Sequence, residues 1–97
     1  MEIRKTEFFA EWLDSLRDLQ ARARVQARIE RLALGNAGDV QAVGEGVSEL
    51  RIHYGPGYRV YFKMQSGHLI ILLAGGDKRT QAKDIKIAQQ LARQLIE

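Results

Sequence analysis

Between Glu49 and Lys63, residues suited to phosphate recur at alternate positions. Glu49, Arg51 and His53 are followed, after a turn, by Arg59, Tyr61 and Lys63. The interleaved residues are Leu50, Ile52, Val60, Phe62 and Met64. Alternation with period two is the pattern of a half-buried strand, so the polar set shares one face of a sheet. That face would carry two arginines, a lysine, a histidine, a tyrosine and a glutamate, a surface for phosphate chemistry or phosphate binding. The planar guanidinium fork holds phosphate bidentately and stays charged. His53 has the intrinsic pKa best suited to proton transfer near neutrality. Each residue also has a plainer reading. Arg59 would be a solvated arginine paired with Glu49 or Glu45, and Tyr61 a cross-strand neighbour of Arg51. Glu49 would orient Arg51 or pair with Lys63, and His53 would be a surface histidine.

The elements that position this face follow from the flanking sequence. Gly55-Pro56-Gly57 is a turn signal. A loop of only those residues sets Tyr54 opposite Tyr58, Ile52 opposite Val60, Arg51 opposite Tyr61, and Glu49 opposite Lys63. Ser66-Gly67 reads as a two-residue hairpin turn into an apolar strand that is covered on both faces and is broken at Gly75-Gly76-Asp77. Residues 1–5 read as a short strand. Thr6 caps a helix carrying Phe8, Phe9, Trp12, Leu13 and Leu16, and a second helix spans about residues 19–34, with Ala21, Val25, Ile29 and Leu32 on one stripe. Its other faces carry Arg24, Arg28 and Arg31, candidates for gripping RNA, for holding an acidic partner segment, or for simple solvation. A loop or short strand passes through Val40 and Val43. Thr80 is a candidate cap for a last helix over about residues 81–96. The order β-α-α-β-β-β-α predicts an α+β fold, a twisted antiparallel sheet packed against helices.

Ninety-seven residues fit one small domain, residues 1–97, and the hydrophobic fraction of 45% allows a thin core. With no cysteine there is neither a disulfide nor a thiolate metal site, and no metal or other cofactor is expected. No apolar run approaches the length of a membrane span, so a cytoplasmic protein without a membrane partner is expected. The net charge of +3 permits a nucleic-acid or acidic protein partner without requiring one.

Glu49-Leu50-Arg51, then Gly57-Tyr58-Arg59-Val60-Tyr61, the strand 69–73, then Gly76-Asp77-Lys78, Gln81 and Asp84-Ile85 together carry a resemblance. In this order and spacing they resemble the RelE/HigB superfamily of toxin–antitoxin toxins, and within it the phage-derived Gp49-like branch of addiction module killer proteins. The resemblance covers nearly the whole chain. It implies a small RelE/ParE-like fold whose sheet cradles a cleft, and cleavage of messenger RNA on the ribosome. It also implies neutralisation by a cognate helix-turn-helix antitoxin, with a toxin–antitoxin heterotetramer as one assembly.

Under that resemblance the chemistry is the metal-independent attack of a 2′-OH on the adjacent phosphate. The reaction needs a base, cations on the non-bridging oxygens and an acid at the leaving oxygen. Arg59 aligns with the sheet arginine that such nucleases place on the phosphate, and Arg51 lies beside it. Lys78 follows the last strand, where the family places a basic or aromatic catalytic group, although loop solubility explains a lysine there equally well. Tyr61 would stack on a base or donate a proton, Glu49 would act as a base as in some relatives, and Lys63 would add an RNA contact. One departure matters: relatives that end in a catalytic tyrosine or histidine after the last strand have neither counterpart here. Two other functions remain open at the level of sequence, a gyrase inhibitor of ParE type and a non-toxic phage-derived interaction protein.

Overall fold

The computed structural model describes residues 1–95. The sheet has five strands: β1 (Glu2–Lys5), β2 (Val40–Ala42), β3 (Val47–Ile52), β4 (Tyr58–Gln65) and β5 (Leu69–Asp77), in the order β1-β5-β4-β3-β2. The hairpin strands are antiparallel, as expected, but β1 runs parallel to β5, so the sheet is mixed. Helices α1 (Glu7–Ser15) and α2 (Leu19–Ala33) follow β1, and a short 3-10 turn, Lys78–Thr80, leads into α3 (Gln81–Gln94). The expected end of the last helix at Ile96 lies outside the described residues.

Local chemistry sets the helix starts. The Thr6 hydroxyl accepts from the Phe9 N–H at 3.0 Å, and Asp18 accepts from Gln20 and Ala21. Thr80 makes no such cap. Its hydroxyl donates to Asp84 Oδ2 at 2.5 Å, while Asp77 caps the 3-10 turn by accepting from the Arg79 N–H.

Helices cover both sides of the sheet, so β5 is buried on both faces, as its apolar pattern predicts, and the polar face of β3 and β4 is covered as well. Phe9, Leu13, Val25 and Leu32 of α1 and α2 pack on Leu50, Ile52, Val60, Phe62, Ile70 and Leu72. Helix α3 lays Ala88 and Ala92 on the opposite face, against Val47, Tyr61, Ile71 and Leu73. The face read from sequence as the exposed polar one is therefore half core. Tyr61 and Glu49 are fully buried, whereas Met64, expected in the core, is exposed.

The β3–β4 register differs from expectation by two residues. The ladder ends at Ile52↔Tyr58, with Leu50↔Val60 and Glu49↔Tyr61, leaving residues 53–57 as the loop. The Gly57 N–H bonds the Tyr54 carbonyl at 3.1 Å, so the tight turn sits inside a longer loop, with φ of +56° at Gly55 and +81° at Gly57. A shift of two keeps every side chain on its own face, which is why the faces were read correctly from a wrong pairing.

Nor do Gly75 and Gly76 break β5, which runs on through Asp77. A Cβ at Gly75 would stand 2.1 Å from the Trp12 ring, and one at Gly76 1.8 Å from Asp84 Oδ2. The missing side chains let α1 and α3 approach the strand from opposite sides. A bulge near Tyr61/Phe62 sets both Leu73 and Ala74 toward α3.

Candidate functional site

Arg59, the second residue of β4, projects on the α3 side, opposite Gly76 of β5 and Arg51 of β3. It is only 7% exposed. Its guanidinium runs toward the hairpin loop, where Nη1 and Nη2 lie 3.8 and 3.9 Å from the position of a Cβ on Gly57. Among the described residues its one side-chain hydrogen bond, from Nη1 to the Tyr58 carbonyl, is long at 3.5 Å, and Nε is buried without an acceptor. Among the described residues no carboxylate pairs with it. A buried cation normally has a partner, which marks Arg59 as a candidate for contact with an anion.

The guanidinium borders a recess of about 390 Å³ formed by the Gly55-Pro56-Gly57 turn, His53, Tyr54 and Lys78. Gly57 serves the recess directly: its missing Cβ leaves the space between Arg59 and Lys78 open, Lys78 Cβ lying 3.5 Å from where it would stand. Lys78 is exposed and opens the 3-10 turn. His53, also exposed, is bound to Asp39, with Nε2 2.6 Å from Oδ2. That hydrogen bond from His53 holds the Asp39 carboxyl below the usual carboxylate range. An ionised carboxylate only accepts, so with Asp39 ionised His53 Nε2 is the donor in this contact. Asp39 was missed from sequence because it sits in the turn that ends α2, and no local spacing links it to His53.

The other expected catalytic residues do not join this group. Glu49 is fully buried and is held by Gln81 Nε2 at 2.7 Å, Arg51 Nε at 2.9 Å and the Tyr61 hydroxyl at 3.0 Å. Burial pushes its pKa up, but the hydrogen bonds from Gln81, Arg51 and Tyr61, with the Arg51 charge, outweigh that and leave it below the ordinary value. A carboxylate so stabilised and enclosed is a poor base. Burial, reinforced by Glu49, drives the Tyr61 phenol far above its usual range, so it neither stacks on a base nor gives up a proton. Arg51 pairs with Glu49 and Gln41 rather than reaching the recess. Together these residues tie α3 and β2 to the centre of the sheet.

Of the candidate RNA-binding residues, Arg28 is structural. It donates to the carbonyls of Arg51, Ala37 and Asp39, pinning the loop after α2. Lys63 lies opposite Val47, away from Arg59, and Tyr61 rather than Lys63 faces Glu49. Arg24 and Arg31 line a neighbouring groove.

Residues 11–94 match the family described as phage derived protein Gp49-like (DUF891). The chain belongs to the Gp49-like family. This family is associated with toxin–antitoxin modules. An uncharacterized protein of Haemophilus influenzae is 54% identical over 95 residues, covering 98% of this chain and 96% of the relative. No described helix of the Gp49-like chain is long and apolar enough to cross a membrane. The family match includes both the hairpin that carries Arg59 and the turn that carries Lys78.

Proposed function

We propose that this Gp49-like protein is the toxin of a two-component module and a metal-independent endoribonuclease of RelE/HigB type. The observation that carries the reading is Arg59, a buried guanidinium with no carboxylate partner, set at the lip of a recess it shares with Lys78 and His53. In this reading a scissile phosphate enters the recess and Arg59 binds its non-bridging oxygens. His53, oriented by Asp39, takes the proton from the 2′-OH as that oxygen bonds to phosphorus. Lys78 adds positive charge to the phosphorane and supplies the proton to the departing 5′-oxygen. The products are a 2′,3′-cyclic phosphate and a 5′-hydroxyl. Arg59 matters most because it meets charge that grows in the transition state.

The substrate in this proposal is messenger RNA on the ribosome, and the neutralising partner is a helix-turn-helix antitoxin that assembles with the toxin, as a heterotetramer in one arrangement. The test is inducible expression in the cytoplasm of a bacterial host, with and without the adjacent open reading frame, and sequencing of RNA ends. The reading requires growth arrest relieved by the neighbour and new cyclic-phosphate ends within messages. Arrest with intact RNA and blocked gyrase would replace it with the ParE-type reading.

A further inference from the structure

The recess at Arg59 does not end at the hairpin loop. His53 lines it and also lines a second groove, on the far side, formed by Arg24, Ala27, Arg28 and Arg31 of α2 with Ile52 beneath. The two cavities therefore meet at one side chain. Arg24 stands at the junction, its guanidinium carbon 4.6 Å above the centre of the Tyr54 ring, and Tyr54 is itself a wall of the Arg59 recess. Tyr54 is fixed from two directions. Its ring stacks on Tyr58 at 6.5 Å and 20°, and its hydroxyl donates to Asp18 at 2.9 Å and to Gln20 at 3.1 Å. A guanidinium held over a fixed ring has already lost much of its rotamer freedom, so it binds an anion at lower entropic cost than a free surface arginine. Neither Arg24 nor Arg31 is paired with a carboxylate among the described residues.

We infer that the two cavities form one track for single-stranded RNA, with Arg24 and Arg31 holding backbone phosphates of the segment that flanks the nucleotide at Arg59. The inference rests on the ribonuclease reading and adds to it the length and course of the bound strand. A single strand suits the track because the two cavities share His53 and offer cations at intervals, Lys78 and Arg59 in one and Arg24 and Arg31 in the other. Arg28 shapes the groove rather than holding the strand: its terminal nitrogens donate to the carbonyls of residues 37, 39 and 51, and its Nε is buried away from the groove surface.

The experiment measures binding of labelled oligouridylates, a dinucleotide and a chain of about eight nucleotides, a length within the usual span of single-strand grooves. The proteins are wild type, Arg24→Ala/Arg31→Ala, and Lys86→Ala as a control for net charge on exposed α3. The wild type is expected to favour the longer chain, and the double variant to lose about tenfold of that preference. Its salt dependence should fall by roughly 1.4 in slope, about 0.7 for each lost phosphate contact. The Lys86→Ala protein should match wild type. Equal preference in wild type and double variant, or an equal loss in Lys86→Ala, overturns the track alone, with Arg59-dependent cleavage as the separate readout of the underlying reading. Absence of both RNA binding and cleavage overturns the track and that reading together.

Discussion

Arg51 and Arg59 are cross-strand neighbours, yet only Arg51 has a carboxylate. Like charges placed opposite each other on a sheet repel. The two side chains diverge, Arg51 to Glu49 and Gln41, Arg59 to the hairpin loop. Among the described residues, the one buried glutamate is thus paired with the arginine outside the recess. What is left at Arg59 is a buried cation without a carboxylate partner among the described residues, which under the proposed function costs stability and suits the protein to an anionic substrate.

The stability of an Arg59→Met variant tests this. Replacing a buried, unpaired charge by an apolar side chain of similar length should stabilise the fold by about 1 kcal/mol or more. For a domain of this size that is a rise of roughly 4–8 °C in Tm. A lower Tm by thermal denaturation would mean that the guanidinium has a stabilising role in the fold.

Gly76→Ala should be among the most harmful small substitutions in the chain. The new methyl would meet Asp84 Oδ2 at 1.8 Å and push α3 off the sheet. Overpacking of this kind costs about 1–3 kcal/mol. Combining it with Asp84→Gly should recover part of the loss, because the two changes share one contact. Additive losses in denaturant titrations would place the damage elsewhere.

The buried carboxylates Glu49 and Asp84 should act oppositely on stability as pH changes. Glu49 titrates below its ordinary value in the fold, so its contribution is present above the unfolded pKa and is lost as pH falls through the folded one. Burial holds the Asp84 carboxyl above its usual range, against the Thr80 hydrogen bond and the Lys83 charge. Its ionisation therefore costs stability above that raised value. Asp84→Asn should raise Tm at neutral pH and match wild type in acid below the ordinary aspartate pKa. Glu49→Gln should lower Tm at neutral pH, with a loss on the order of 3 kcal/mol that shrinks in acid. Melting curves across pH check both signs.

The period-two pattern of β3 and β4 revealed the two faces of the sheet, and the helical stripes revealed which residues α1, α2 and α3 bury. Arg59 and Lys78 were singled out by family resemblance more than by pattern. The pairing across residues 53–57 was misread because a shift of two leaves the alternation unchanged. The burial of Tyr61 and Glu49 was missed for a different reason. A strand whose polar residues alternate looks solvent-facing, and only the return of α3 over that side, anchored by Gln81 on Glu49, turns a polar face into core. The Asp39–His53 contact joins two loops far apart in sequence, which no periodicity reports.

His53 and Lys78 should be separable by pH. If His53 is the base, cleavage in wild type rises with pH through the histidine range and levels off, while His53→Ala loses that rise. Lys78→Ala should lower the rate and keep the rise. Asp39→Asn should lower the rate and keep the rise, because the ring loses the carboxylate that orients it. An unaltered profile in His53→Ala would remove it from proton transfer.

The central claim rests on Arg59, and its most direct test is cleavage of messenger RNA on translating ribosomes by Arg59→Ala protein compared with wild type. The expected result is a loss of about a hundredfold or more in rate, with the variant folded and still able to bind the neighbouring antitoxin. Wild-type products should end in 2′,3′-cyclic phosphate. Cleavage by Arg59→Ala at the wild-type rate would contradict the account.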